Sequence, residues 1–342
     1  MTVLDRYVRQ MRFGPIGETG QEKICSSRAL ICGCGALGSV LANTLARAGV
    51  GHLRIVDRDF LELNNLQRQV LYDEDDVASG LPKSIAAANR LARINSEITI
   101  EPIVADVDHS NIADLVAGMD ILLDGTDNFE TRYLLNDAAL KFNIPWVFGG
   151  CIGAEGQTMT VIPGKTPCFR CLMPEPPPPG STPTCDSAGI LSPIINIIAS
   201  LQANEAIKIL SGHPETVSPH LNVFELWDNR IRQIELDSLQ SIDCPACKGS
   251  DYVWLNGKKG SHSAILCGRN AVQLSFAERR SLDLTALSKQ LESVGQVSVN
   301  RYLLRLEIDK YQVTVFSDGR AIIKGTEDIA EAKTVYAKYV GH

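Results

Sequence analysis

A glycine-rich turn between two apolar segments constrains the fold of this chain more than any other feature. Residues 28–38 read Arg-Ala-Leu-Ile-Cys-Gly-Cys-Gly-Ala-Leu-Gly, which gives the spacing Gly33-x-Gly35-x-x-Gly38. A helical pattern follows, and then a second apolar run that ends at Asp57. A strand, a glycine turn, a helix and a second strand ending in an acid are typical of a nucleotide-binding βαβ unit.

This unit predicts where a nucleotide binds and leaves the reaction open. The glycines let the backbone approach phosphate oxygens, and the helix that begins at Ala36 directs its N–H groups at the anion. We expect Asp57 to accept hydrogen bonds from a ribose. Nicotinamide enzymes, methyltransferases and ATP-dependent enzymes can all carry this pattern, so the rest of the chain must decide.

The segment after the second strand is rich in arginine and amide side chains, more than an ordinary crossover helix of a dehydrogenase would be. It supplies Asn64, Asn65, Gln67 and Arg68 close to the expected nucleotide. Lys83 opens the next helix, where a lysine does not complement the helix dipole. Taken alone, Lys83 is interpreted as a solvated surface residue. Together with the other polar groups, it is interpreted as a phosphate ligand.

Two acids end a later buried strand, over residues 120–124. Asp124 and Asp127 would lie at the carboxyl end of a parallel strand, where open α/β sheets bind ligands. Asp127 could cap the helix predicted over residues 129–142, because Asp is a preferred cap. Because Asp124 and Asp127 form a pair of acids, magnesium coordination is an equal alternative to helix capping.

Ten cysteines are present, and four of them form two CxxC pairs, Cys168 with Cys171 and Cys244 with Cys247. Four thiolates in two such pairs match a closed, tetrahedral, structural zinc site. The spacing between the pairs is far longer than in zinc fingers, which weakens the signal. The alternative is two redox motifs, but neither pair sits at a strand-to-helix start that would lower a thiol pKa.

A proline-rich loop over residues 174–183 precedes Thr184, Cys185 and a long apolar helix. Few backbone donors remain in such a loop, so we expect it to be exposed. A cysteine between a loop and a helix start is placed for a lowered thiol pKa. Position alone leaves a reactive and an unreactive Cys185 equally open.

Composition excludes several classes of protein. The 342 residues are 44% hydrophobic and 21% charged, which is ordinary for a soluble globular chain with a large and a smaller domain. The net charge of -7 argues against non-specific nucleic-acid binding. The N-terminus shows no signal-peptide core and the apolar run 191–210 is interrupted by Glu205, so we expect no membrane span and a cytoplasmic location.

The character of the sequence changes near residue 251. Strand-like alternation and helical patterns predict a separate α+β domain over residues 251–342, built on antiparallel pairs, with Asp318-Gly319 as a hairpin turn. The predicted strands are residues 264–276, 302–308, 311–316 and 320–324, and the predicted helices are residues 284–294 and 329–340. Because no acid, base or metal cluster is concentrated here, we interpret it as a binding or interface module.

The first 250 residues resemble the bacterial adenylyltransferases that activate ubiquitin-like sulfur-carrier proteins of molybdopterin and thiazole biosynthesis, relatives of the ubiquitin-activating enzymes. The resemblance runs in order through Arg6-Tyr-Val-Arg9-Gln10, residues 33–38, Asp57, residues 65–69, Pro82-Lys83, residues 124–128, both CxxC pairs and Thr184-Cys185. It implies an α/β fold with a Rossmann-like, doubly wound, mostly parallel sheet and a zinc clip. Residues 251–342 look like an extension found in only some members.

The resemblance also implies a site. The family pattern places Arg68 and Lys83 on the phosphates of ATP, Asp127 on Mg²⁺, Asp57 on the ribose, and Arg9 across a two-fold dimer in the partner's site. Cys185 matches a cysteine that in some members bonds covalently to the carrier. The implied nucleotide-binding residues are Gly33, Gly35, Ala36, Gly38, Asp57, Asn64, Asn65, Gln67, Arg68, Lys83, Asp127 and Asn128, and the implied zinc ligands are Cys168, Cys171, Cys244 and Cys247.

The implied reaction is attack by the C-terminal glycine carboxylate of a carrier ending in Gly-Gly on ATP, which gives an acyl-adenylate and pyrophosphate. A separate persulfide donor then supplies sulfur for a thiocarboxylate. Cations and a magnesium ion stabilise the charge that develops on the phosphates. Two other interpretations stay open: an NAD-dependent oxidoreductase, in which Arg68, Lys83 and Asp127 would have no purpose, and a non-catalytic scaffold with a vestigial nucleotide fold.

Overall fold

The computed structural model describes residues 3–178, 185–241, 243–259, 263–266, 270–274 and 282–341. The chain divides into two units. The first comprises Met1–Pro177 and Ile190–Lys259, and the second comprises Pro178–Gly189 and Gly260–His342.

The helices of the described chain range from four to 19 residues. They are α1 (Val8–Met11), α2 (Gly17–Ser26), α3 (Ala36–Ala48), α4 (Glu74–Ser79), α5 (Lys83–Ile94), α6 (Ile112–Val116), α7 (Phe129–Phe142), α8 (Phe169–Leu172), α9 (Cys185–Ala188), α10 (Ser192–Leu210), α11 (Leu284–Leu291) and α12 (Ile329–Tyr339). Among the described residues, no helix is both long and apolar enough to cross a membrane.

An eight-stranded sheet organises the described part of the first unit. Its strands are β1 (Arg28–Cys32), β2 (His52–Val56), β3 (Thr99–Ile103), β4 (Ile121–Asp124), β5 (Trp146–Ile152), β6 (Glu155–Val161), β7 (His220–Glu225) and β8 (Arg230–Glu235). The order is β3-β2-β1-β4-β5-β6-β7-β8. The first five strands are parallel, and β6, β7 and β8 add antiparallel neighbours. The predicted doubly wound, mostly parallel sheet is confirmed.

The central strands of this sheet are buried on both faces, which explains why β1 and β4 are mainly apolar. Along β1, Ala29 and Ile31 face one core, while Leu30 and Cys32 face the other. The first core is covered by α3, α5 and α10, and the second is covered by α6 and α7. The carboxyl ends of β1, β2 and β4 are therefore left at one edge, between the two layers of helices.

A buried glycine near the N-terminus lies inside a helix. Glycines at positions 14, 17 and 20 are typical of turns, but Gly17–Ser26 forms helix α2, with Gly20 buried inside it. A Cβ on Gly20 would lie only 3.3 Å from Ser211 Cβ, so this glycine allows close packing instead of making a turn.

The second unit contains a six-stranded antiparallel sheet among its described residues. The strands are β9 (Ser263–Leu266), β10 (Ala271–Leu274), β11 (Gln296–Val299), β12 (Leu303–Ile308), β13 (Tyr311–Phe316) and β14 (Ala321–Lys324), in the order β11-β12-β13-β14-β10-β9. The predicted α+β character and the Asp318-Gly319 turn are confirmed. The single strand predicted over residues 264–276 is wrong, because β9 and β10 pair antiparallel there.

Candidate nucleotide site and metal centre

The glycine turn adopts a conformation that needs glycine. Gly33 has φ +83°, and its N–H donates to the Val56 carbonyl at 2.8 Å. A Cβ on Gly38 would lie 1.9 Å from the Gly33 carbonyl oxygen, so α3 can pack against the turn only if residue 38 has no side chain. Helix α3 begins at Ala36, after Gly35, with neither a side-chain cap nor an acid in its first turn. Its N-terminus is thus suited to an anion.

Asp57 is held beside the turn by two backbone amides. Its Oδ2 accepts the Cys34 N–H at 2.6 Å, and its Oδ1 accepts the Asp59 N–H at 2.7 Å. Burial raises the pKa of Asp57, and Asp59 raises it further, although Lys83 and the amide hydrogen bonds act in the opposite direction. A carboxylate has about four acceptor positions, so this one can also accept from a ribose.

The polar segment folds back on the turn. Gln69 is 4% exposed, and its Nε2 would lie 3.7 Å from a Cβ on Gly35. Among the described residues, no hydrogen-bond partner is found for its buried Oε1. Gln69 lies in the motif over residues 65–69, although it is not among the predicted nucleotide-binding residues.

Four predicted residues of this segment have different surroundings. Asn65 is buried and closes a turn, because its Oδ1 accepts the Glu62 N–H at 3.1 Å and its Nδ2 donates to Asn64 Oδ1 at 2.9 Å. Arg68 donates to the Asn64 carbonyl at 2.8 Å and is partly exposed. Gln67 is exposed. Asn65 therefore shapes the segment, while Arg68 and Gln67 keep groups accessible to a ligand.

Lys83 is buried, so its interpretation as a solvated surface lysine is wrong. Only 4% of the residue is exposed. Its Nζ lies 3.4 Å from Asp59 Oδ2, and its N–H donates to the Asp59 carbonyl at 2.9 Å. Tyr72 connects this helix start to the glycine turn, since its hydroxyl lies 3.2 Å from the Lys83 carbonyl and 2.8 Å from the Cys34 carbonyl.

The two acids at the end of β4 are separated by burial. Asp124 is fully buried; its Oδ1 accepts from Thr126, and its Oδ2 accepts Arg132 Nε at 3.2 Å. Burial raises the pKa of Asp124, although Arg132 acts against this. Its carboxylate is thus bound to groups of the fold itself. Magnesium coordination by Asp124 and Asp127 stays a prediction.

Asp127 is exposed and does not cap α7. Asn128 is the cap, because its Oδ1 accepts the Thr131 N–H at 2.8 Å. The segment lies against the glycine turn, since a Cβ on Gly125 would be 2.4 Å from the Gly33 carbonyl oxygen. Asp127 is therefore near the same edge as Lys83 and Asp57, with a carboxylate that suits Mg²⁺.

The four CxxC cysteines form one cluster. Their sulfur atoms all lie within 4.8 Å of one another, with Sγ–Sγ distances of 3.7 Å for Cys168–Cys171, 3.7 Å for Cys168–Cys244 and 3.5 Å for Cys171–Cys247. Tetrahedral Zn–S bonds of about 2.3 Å place sulfur atoms about 3.8 Å apart. The pKa of Cys171 is lowered to about 5, first through its hydrogen bond with Cys168. The donors, their number and their spacing fit zinc.

Two other predicted residues lie on short helices. Arg9 lies on α1 and is exposed. Cys185 begins α9 in the second unit, and its side chain lies outside the described part of the structure. Thr184 lies outside the described residues altogether.

A doubly wound sheet with a glycine turn, a neighbouring acid and a four-thiol cluster that fits zinc is typical of a nucleotide-binding α/β protein. The ThiF family pattern matches residues 7–246, and the chain belongs to the ThiF family.

Similar proteins agree with this assignment. The sulfur carrier protein ThiS adenylyltransferase of Bacillus subtilis (strain 168) is 45% identical over 337 residues, which cover 98% of this chain and 99% of the relative. The SAMP-activating enzyme E1 of Haloferax volcanii is 40% identical over 246 residues, covering 72% of this chain and 89% of the relative. A crystal structure of E. coli MccB with ATP has a TM-score of 0.59 and 25% identity, covering 68% of this chain and 71% of that chain.

Proposed function

We propose that this protein adenylates the C-terminal glycine of a ubiquitin-like sulfur-carrier protein with ATP and so prepares the carrier for thiocarboxylate formation. The observation that carries the proposal is the convergence of three segments on the glycine turn. Residues 69–72 place Gln69 beside Gly35, Tyr72 connects the start of α5 at Lys83 to Cys34, and Gly125 lies against Gly33. The names of the Bacillus and Haloferax relatives, an adenylyltransferase and an activating enzyme, support the same activity.

Each group has a defined task in this proposal. Asp57 accepts from the ribose, the N–H groups at the start of α3 face the phosphates, and Arg68 and Lys83 neutralise the α-phosphate and the leaving pyrophosphate. Asp127 would hold Mg²⁺, which neutralises phosphate charge when bound. The carrier carboxylate attacks the α-phosphorus, the bond to pyrophosphate breaks, and the mixed anhydride with AMP remains.

Several parts of the proposal concern partners and location. We assign Arg9 to the nucleotide site of a second copy in a homodimer, because the family resemblance implies this position and the residue is exposed. Sulfur would come from a separate persulfide donor, and Cys185 would bond to the carrier during transfer. The reduced thiols of a zinc clip favour a cytoplasmic location. We retain the division into a catalytic domain, residues 1–250, and an accessory domain, residues 251–342.

The test is ATP–pyrophosphate exchange with a carrier that ends in Gly-Gly. We expect exchange with this carrier and none when its last glycine is removed. No exchange with any Gly-Gly carrier would contradict the proposal. A carrier-independent absorbance change with NAD⁺ or NADH would instead support the oxidoreductase alternative.

A further inference from the structure

Four charged side chains of alternating sign run from the end of β3 to the start of α5, and we call them the charge chain: Asp106, Arg58, Asp59 and Lys83. Arg58 Nη1 lies 3.0 Å from each carboxylate oxygen of Asp106, and its Nε lies 3.8 Å from Asp59 Oδ1. The chain ends at Lys83, whose Nζ is 3.4 Å from Asp59 Oδ2.

All four side chains are largely buried. Their exposed fractions are 21% for Asp106, 25% for Arg58, 22% for Asp59 and 5% for Lys83. A buried charge that loses its partner is strongly destabilising, so each member depends on its neighbours. Burial lowers the pKa of Arg58, but Asp106, Asp59 and Asp127 outweigh this and raise it.

Asp59 connects this chain to the nucleotide site. Its carbonyl accepts the Lys83 N–H at 2.9 Å, and its own N–H donates to Asp57 Oδ1 at 2.7 Å. The Lys83 ammonium also interacts with Asp57 and with the buried Cys34 thiol, and it opposes the rise that burial causes in the pKa of each. The Tyr72 hydroxyl lies at the same helix start. Asp59 is thus bonded to Lys83 through both its backbone and its side chain.

The two ends of the charge chain are held with different strength. A guanidinium bound to two carboxylate oxygens is fixed in orientation, whereas an ammonium on a flexible stem is a movable point charge. The contact from Asp59 to Lys83 is also the longer one. Lys83 can therefore turn toward an anion while Arg58 stays in place against Asp106.

We propose that Asp59 is a positioning residue that keeps Lys83 charged and directed toward the phosphates, and that Arg58, fixed by Asp106, neutralises Asp59 when Lys83 contacts the nucleotide. This inference rests on the proposed function, because it requires that ATP binds beside Lys83. It adds a role for three residues outside the predicted nucleotide-binding set.

The test compares Asp59→Asn with the wild-type chain by calorimetric ATP binding and by the pH profile of exchange. We expect ATP affinity to fall about tenfold, the equivalent of one charge-assisted contact of about 1.4 kcal/mol. A carboxylate favours the protonated ammonium, so its removal should shift the alkaline limb of the profile to lower pH. Asp59→Glu should restore part of both effects, and Asp75→Asn, which removes an exposed acid on α4, should change neither.

A second comparison covers the case in which Asp59→Asn does not fold. Arg58→Met combined with Asp106→Asn removes the supporting pair without leaving a lone buried charge, and it should weaken ATP binding while thermal unfolding stays cooperative. The inference alone would be overturned if folded Asp59→Asn kept its ATP affinity and its alkaline limb. If that variant does not fold, unchanged ATP affinity in the double variant would overturn it. Failure of the wild-type chain to bind ATP would overturn the proposed function as well.

Discussion

Arg132 donates its Nε to Asp124 Oδ2 over 3.2 Å, and neither side chain is more than 10% exposed. The same guanidinium donates from Nη2 to the carbonyls of Thr126 and Gly149, at 2.9 and 3.3 Å. This pair fixes the end of β4 beside the glycine turn. It explains how Asp127, three residues after Asp124, is presented at the edge where the nucleotide is expected.

Asp124→Asn should destabilise the protein substantially. Removing one partner of a buried ion pair leaves the other charge without compensation, which costs about 3–5 kcal/mol. The free energy of unfolding in urea measures this effect. Asp228→Asn is the matched control, because its ion pair with Arg230 is exposed and should contribute less than about 1 kcal/mol. Equal effects of the two substitutions would contradict the structural role of the buried pair.

Gly38→Ala should disrupt the contact between α3 and the glycine turn. The new Cβ would meet the Gly33 carbonyl oxygen at 1.9 Å, and a backbone oxygen cannot move aside. We expect a loss of about 2 kcal/mol or more in the free energy of unfolding, together with weaker ATP binding. Gly14→Ala has open space around its Cβ and should behave like the wild type. A Gly38→Ala variant with unchanged stability and ATP affinity would refute this account of the turn.

Zinc should be present at one ion per chain and should stabilise the first unit. Cys244→Ala should release the metal and lower the free energy of unfolding by about 3–5 kcal/mol, since a cross-link over a long loop is worth about 4 kcal/mol. Elemental analysis and thermal unfolding measure both effects. Cys25→Ala, on α2, should retain the metal. Full metal content in Cys244→Ala would rule out the four-thiol site.

Glu101 should contribute stability that is lost in acid. Burial raises the pKa of Glu101, but hydrogen bonds from Arg54 and His52 outweigh it, and the pKa lies below its ordinary value. Its stabilisation is therefore present above the unfolded-state pKa of about 4.3 and is lost as the pH falls through the lower folded-state pKa. Denaturation of Glu101→Gln at neutral pH and near pH 3 should show a smaller acid loss of stability than the wild type. Glu22→Gln, at an exposed site, is the control and should lose stability in acid as the wild type does. If Glu101→Gln also loses stability in parallel with the wild type, the prediction is wrong.

The sequence was informative where burial imposes a pattern. Strands β1 and β4 carry buried apolar side chains on both faces, so they could be predicted without knowledge of their partner strands. The burial of Lys83 was harder to predict, because it depends on an ion pair with Asp59, which is distant in sequence. Asp127 and Asn128 are both good helix caps, and only the fold distinguishes them.

Turns inside alternating segments and contacts across strands were also difficult to predict. Alternation continues through residues 264–276, although Asn270, with φ +46°, precedes a second strand there. The pairing of Arg58 with Asp106 depends on β3 lying beside β2, which no local pattern specifies. The charge chain could therefore not be predicted before the sheet order was known.

The most direct measurement is the intact mass of a Gly-Gly carrier after incubation with ATP, Mg²⁺ and this protein. The account predicts a carrier whose mass has increased by one AMP, formed by the wild-type chain and reduced at least tenfold with Lys83→Ala or Asp127→Asn, while Lys141→Ala on α7 behaves like the wild type. A carrier that stays unmodified with the wild-type chain, or that is adenylated equally well by Lys83→Ala and Asp127→Asn, would contradict it.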